Sequence, residues 1–120
     1  MSTENKEHPV SFTQLKKAFV DSGYEIRFFA RHDLERLALD SPADVKRHLD
    51  SDIMGLIMPD ENIIGLANDL TEEERVATLL HELIHLVRED LPEDEVEHLT
   101  LELENSLTPS QFGFFQFVVS

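Results

Sequence analysis

His81, Glu82 and His85 stand in H-E-x-x-H spacing inside the run Leu80-His81-Glu82-Leu83-Ile84-His85-Leu86. Side chains four apart lie on one face of an α-helix. Both imidazoles can therefore reach one metal ion, with Glu82 one step round the cylinder. Neutral imidazoles suit Zn²⁺, and the carboxylate between them can take a proton from a metal-bound water. The chemistry predicted is zinc-dependent hydrolysis, with a peptide bond as the expected target.

So short a motif also arises by chance on solvated helix faces, and here the flanks decide. Thr71-Glu72-Glu73-Glu74 has the spacing of a capping box, opening a helix ten residues before His81. Val76, Leu79, Leu80, Leu83 and Val87 recur at helical spacing and define a buried stripe. Thr78, His81, Glu82 and His85 fall on another arc, so the histidines sit on a helix but off its apolar stripe. The helix is expected to end near Glu89, where Leu91-Pro92 breaks it and Pro92 can open the next. Val96, Leu99, Leu103 and Leu107 give that second helix one apolar face. So short a link predicts an antiparallel hairpin.

A catalytic zinc keeps three protein ligands and one position for water. The third ligand should come from the following helix, where Glu93, Asp94, Glu95, Glu97 and His98 are candidates. With the first helix ending near Glu89, the residue level with His85 lies four or five into the next helix, which points to Glu97. Glu93, one turn nearer the link on the same stripe, is the alternative. His98 would need a rotation that Val96 and Leu99 oppose. A carboxylate not used by the metal could orient a histidine ring. For the oxyanion of a hydrolytic intermediate, Tyr24 is distant in sequence, and Arg75, Arg88 and His98 are nearer.

Upstream, Ser11 or Thr13 can cap a helix running to about Ser22, with Gly23 at its end. Residues 24–29 read as a strand, and helical pieces are expected near 33–39 and 42–50. Residues 53–58 and 63–67 are apolar runs separated by Pro59-Asp60-Glu61-Asn62, the pattern of a β-hairpin. The second of these strands could offer its edge to an extended peptide. His32 and His48 read as surface residues. Residues 111–119 hold four of the eight phenylalanines. They read as a terminal strand or segment packed on the core, or as a lid or partner-binding patch.

The 120 residues form one expected domain over 11–120, after a disordered start over 1–10. Cysteine is absent, so a metal site must use His and carboxylate. No apolar run has signal-peptide or membrane-span length, and a cytoplasmic location without membrane association is expected. Net charge is −15, and residues 69–120 carry thirteen acids against two Lys/Arg. That imbalance argues against nucleic acid and could favour basic peptides or a basic partner.

The stretch Thr71-Glu72-Glu73-Glu74-Arg75, with Thr78-Leu79-Leu80-His81-Glu82-Leu83-Ile84-His85, resembles the metal helix of the ImmA/IrrE-like minimal gluzincins. The hairpin over 53–67 resembles the one that precedes it there. The likeness covers residues 53–108. In that family the third ligand is a Glu from a later helix. Glu93-Asp94-Glu95-Val96-Glu97 partly matches its signature and nominates Glu93; the shifted match Glu97-His98-Leu99-Thr100 nominates Glu97. The resemblance implies a zinc metallopeptidase acting on protein substrates such as repressors. The expected fold is α+β and zincin-like, with a small, partly antiparallel sheet packed on helices and the H-E-x-x-H helix followed by a glutamate helix. The rival reading is a non-catalytic or latent zincin-like module that works through its acidic face or aromatic tail.

Overall fold

Residues 10–39 and 54–120 are described by the computed structural model. The expected helical piece over 42–50, His48 and nearly all of the expected disordered start lie outside them. Helix α1 (Phe12–Ser22) begins at a reciprocal cap. The Gln14 N–H donates to the Ser11 hydroxyl at 3.2 Å, and the Ser11 N–H donates to the Gln14 side chain at 3.0 Å. Gly23 ends it at φ +75°, a conformation that disfavours a Cβ. Then follow strand β1 (Glu25–Phe29) and helix α2 (Arg31–Leu39). Strand β2 (Gly55–Met58), one 3₁₀ turn (Pro59–Glu61) and strand β3 (Ile63–Ala67) make the hairpin.

The long helix α3 (Glu72–Val87) carries the H-E-x-x-H motif, and α4 (Glu93–Ser106) and α5 (Pro109–Val118) complete the order. The sheet runs β1-β3-β2, with β3 parallel to β1 and antiparallel to β2. This is a mixed α+β domain with a partly antiparallel sheet and a zincin-like succession of helices. Alternation along the strands sorts the side chains into two layers. Ile57, Ile64 and Leu66 pack with Val76, Leu79, Leu80 and Leu83 of α3. Leu56, Met58 and Ala67 pack with Leu34 and Ala38 of α2. Helix α3 is the central element: the sheet, α1, α4 and α5 all rest on it.

Two expectations are corrected. β3 is bonded on both sides and offers no edge; among the described residues the two edges belong to β1 and β2, and only β2 runs beside the H-E-x-x-H helix at Glu82. The aromatic tail is a helix, not a strand. Its N-terminus repeats the reciprocal cap, with the Gln111 N–H donating to Thr108 Oγ1 at 3.2 Å and the Thr108 N–H to Gln111 Oε1 at 2.9 Å. Phe115 and Val119, four apart, are buried, and Phe12 meets the Phe115 ring edge-on at 5.5 Å. Rings arranged so add to the area they bury. Among the described residues no helix is long and apolar enough to cross a membrane.

Candidate metal centre

Two buried arcs on one helix create the site. The first arc of α3 faces the sheet. The second carries Thr78, Glu82 and His85, and it is buried as well: Gly55 of β2 lies against Thr78 and Glu82, and Glu93 at the start of α4 meets His85. Glu82 is 1% exposed and His85 4%, while His81 is half-buried at the rim. Burial of polar side chains in such density needs partners. The helix is held in place by the expected cap: the Glu74 N–H donates to Thr71 Oγ1 at 3.2 Å, and the Thr71 N–H donates to Glu74 Oε1 at 2.8 Å.

The two imidazoles converge with Glu93, the first residue of α4. His81 Nε2 lies 2.7 Å from Glu93 Oε2, and His85 Nε2 lies 3.0 Å from Glu93 Oε1. The two Nε2 atoms are 3.2 Å apart. One ligand atom from each of His81, His85 and Glu93 falls within 4.8 Å of the others, the one such triad among the described residues. Glu97 stands outside it, one turn along α4, where it lines the cleft and its charge acts on His81. The height comparison favours Glu97 only if the first helix runs to Glu89. Since α3 ends at Val87, two residues earlier, the level of His85 moves back toward the start of α4, where Glu93 stands.

The triad's charges are coupled. Burial pulls the His81 imidazolium down, but the hydrogen bond to Glu93 and the charges of Glu82, Glu93 and Glu97 outweigh it, so the net direction is up. Burial pushes the Glu93 carboxyl up, yet its hydrogen bonds to His81 and His85 and their charges hold it well below the usual carboxylate range. A raised histidine stabilises the fold fully below its unfolded pKa and loses that contribution as pH rises through the folded value. A depressed carboxylate contributes above its unfolded pKa and loses it as pH falls. The two contributions overlap between 4.5 and 6.5, the ordinary values of the two groups. In metal-free protein, thermal melts of Glu93→Gln should fall furthest below the unsubstituted chain inside that window, and the gap should narrow toward pH 8.5. A gap independent of pH would contradict the pairing.

Glu82 is the other half of the site. Its Oε1 is buried and has no hydrogen-bond partner among the described residues. Its Oε2 lies close to the backbone of β2. A Cβ on Gly55 would come 3.3 Å from that oxygen and 2.6 Å from Thr78 Cγ2, so glycine lets the strand run hard against α3. Sequence reasoning passed over Gly55; the available signal was a glycine in an apolar strand run, which marks close backbone approach. A cleft of about 560 Å³ opens here, between Met54 and Gly55 on one side and α3 and α4 on the others, with His81, Glu82 and Glu93 in its wall.

The other candidates lie elsewhere. Arg75 stacks over the Phe28 ring at 4.7 Å and donates to the Val119 carbonyl at 3.3 Å. Arg88 donates to Asp90, and His98 is exposed beside Glu102 at 3.0 Å. Tyr24 packs on the main core, and His32 is exposed beside Asp33. None of these lines the cleft, and neither does any residue of α5. The aromatic tail therefore does not cover the site.

A His–His–Glu triad on two successive helices is consistent with a gluzincin-like zinc-binding arrangement, and its geometry is compatible with holding a divalent ion such as Zn²⁺. No family model, no curated protein and no solved structure matches this chain.

Proposed function

We propose that this chain is a zinc-dependent metallopeptidase, with His81, His85 and Glu93 as the protein ligands and Glu82 as general base. The observation that supports it most is the pairing of a converged two-nitrogen, one-carboxylate donor set with a buried Glu82 oxygen that nothing among the described residues satisfies. A buried carboxylate oxygen without a partner is costly, and a ligand in the cleft would relieve it. The donor set fits the metal: nitrogen and oxygen ligands, in a chain without cysteine. When bound, Zn²⁺ supplies Lewis-acid chemistry to a water and to a carbonyl.

The chain's own residues do the rest. Glu82 Oε1 takes the proton of the attacking water and later gives it to the departing amine. Its burial keeps bulk water from competing for that oxygen. The substrate is held by β2. Because the Ala67 N–H donates to the Met54 carbonyl at 2.8 Å, ladder alternation turns the main-chain groups of Gly55 and Ile57 outward. Gly55 is the residue against Glu82, so an extended polypeptide adding to this edge runs past the general base.

The test is cleavage of an unstructured protein. Chelation with 1,10-phenanthroline should abolish it and stoichiometric Zn²⁺ should restore it. Cleavage indifferent to chelation, or none in zinc-loaded protein, would refute the proposal.

A further inference from the structure

We infer that the groove leading from the triad between α3 and α4 receives a lysyl or arginyl side chain of the bound polypeptide, with Glu104 taking its charged head and Glu97 flanking its path. The identity of the occupant as a polypeptide rests on the peptidase reading. Glu93, Glu97 and Glu104 follow one another at spacings of four and seven, which keeps them on one stripe of α4. All three line the same cleft, opposite Ala77, Thr78 and His81 of α3.

Glutamates on one helix face do not by themselves make a site. This row opens into the cleft whose wall also includes Glu82, a buried side chain whose Oε1 has no partner among the described residues, a separate sign that the cleft is made for a ligand. The walls suit a basic side chain in particular. Leu101 is 60% exposed and Met54 40% exposed, and both flank the groove, where methylene stems can lie along them.

Among the described residues the charge of Glu97 and Glu104 is uncompensated. Neither Glu97 nor Glu104 has a hydrogen bond or ion pair among the described residues, and the two arginines of this half of the chain are engaged with Val119 and Asp90. Burial, with the charge of Glu73 added, pushes the Glu104 carboxyl up. A cation arriving there replaces lost solvation, whereas an acidic side chain would meet the carboxylates of Glu97 and Glu104. Electrostatic complementarity of this kind sets specificity.

The test uses zinc-loaded Glu82→Gln protein and two fluorescent unstructured peptides identical except for Arg or Glu flanking a common apolar centre. Anisotropy should give an affinity for the Arg peptide tighter by about tenfold or more. Adding Glu97→Lys and Glu104→Lys should bring the two affinities level or invert them. Adding Asp33→Lys and Glu35→Lys, an equal charge change on α2 across the sheet from α3, should leave the preference within about twofold. Equal affinities at the outset, or equal losses in both charge-changed proteins, would overturn the inference. The unsubstituted chain should cleave the Arg peptide faster in the same ratio. If it cleaves neither, the peptidase reading fails, and the binding ratios still decide whether the groove selects positive charge.

Discussion

Glu82→Gln should lower peptide-bond hydrolysis by about 10²–10⁴-fold, the range that a positioned general base contributes, while leaving zinc content unchanged. The substitution is nearly isosteric. It keeps the packing of the Glu82 side chain against the Gly55 backbone and removes only the capacity to accept a proton at Oε1, the atom that lacks a partner among the described residues. Glu82 is outside the ligand triad, so metal affinity should hold. The fold should hold too, since a neutral amide is easier to bury than a carboxylate. The checks are kcat on a quenched peptide and metal content of the same preparation. Turnover equal to that of the unsubstituted chain would remove Glu82 from the chemistry; loss of zinc together with turnover would make it a structural support for the site.

The second large effect separates two neighbours on α4. Glu93→Gln should weaken zinc binding by more than about 100-fold, because even the outer partners of a metal ligand are worth 10–100-fold. Glu97→Gln should change it by less than about threefold. Glu93 reaches both imidazoles, at 2.7 and 3.0 Å, whereas Glu97 acts on His81 only through its charge. The melts should follow. Zinc at a hundred times its Kd stabilises the folded state by about 2.7 kcal/mol, and this gain should vanish in Glu93→Gln at a concentration where Glu97→Gln retains it. Competition against a chromogenic chelator measures the affinities directly. The opposite order would move the third ligand to Glu97.

The helix bearing the motif was legible because three independent signals agree on it: the Thr71 cap, the stripe through Leu83 and the histidine spacing. The caps at Ser11 and the turn at Pro59 were legible for the same reason, since their chemistry is local. Register between helices was not. Moving one helix end by two residues, from Glu89 to Val87, shifts which glutamate of α4 stands level with His85, and end positions are the least determined feature of a helical pattern. The order of the strands was also hidden. A hairpin pattern pairs β2 with β3 but says nothing of β1, whose parallel pairing with β3 puts β3 in the centre and leaves β1 and β2 at the edges. In the tail, the density of phenylalanine masked a readable signal: Thr108-Pro109-Ser110-Gln111 is a capping box with proline at the first helical position. The burial of Glu82 and His85 was beyond local reading altogether, because it comes from β2 running against Glu82 and from the start of α4 meeting His85.

X-ray absorption at the zinc edge, on protein loaded to equivalence and freed of excess metal, addresses the metal centre most directly. The expected result is one zinc per chain, with scattering from two imidazoles and light oxygen neighbours, falling to a disordered hexa-aqua signature in His85→Ala. Failure to retain stoichiometric zinc, or a spectrum without imidazole scattering, would contradict the centre described above.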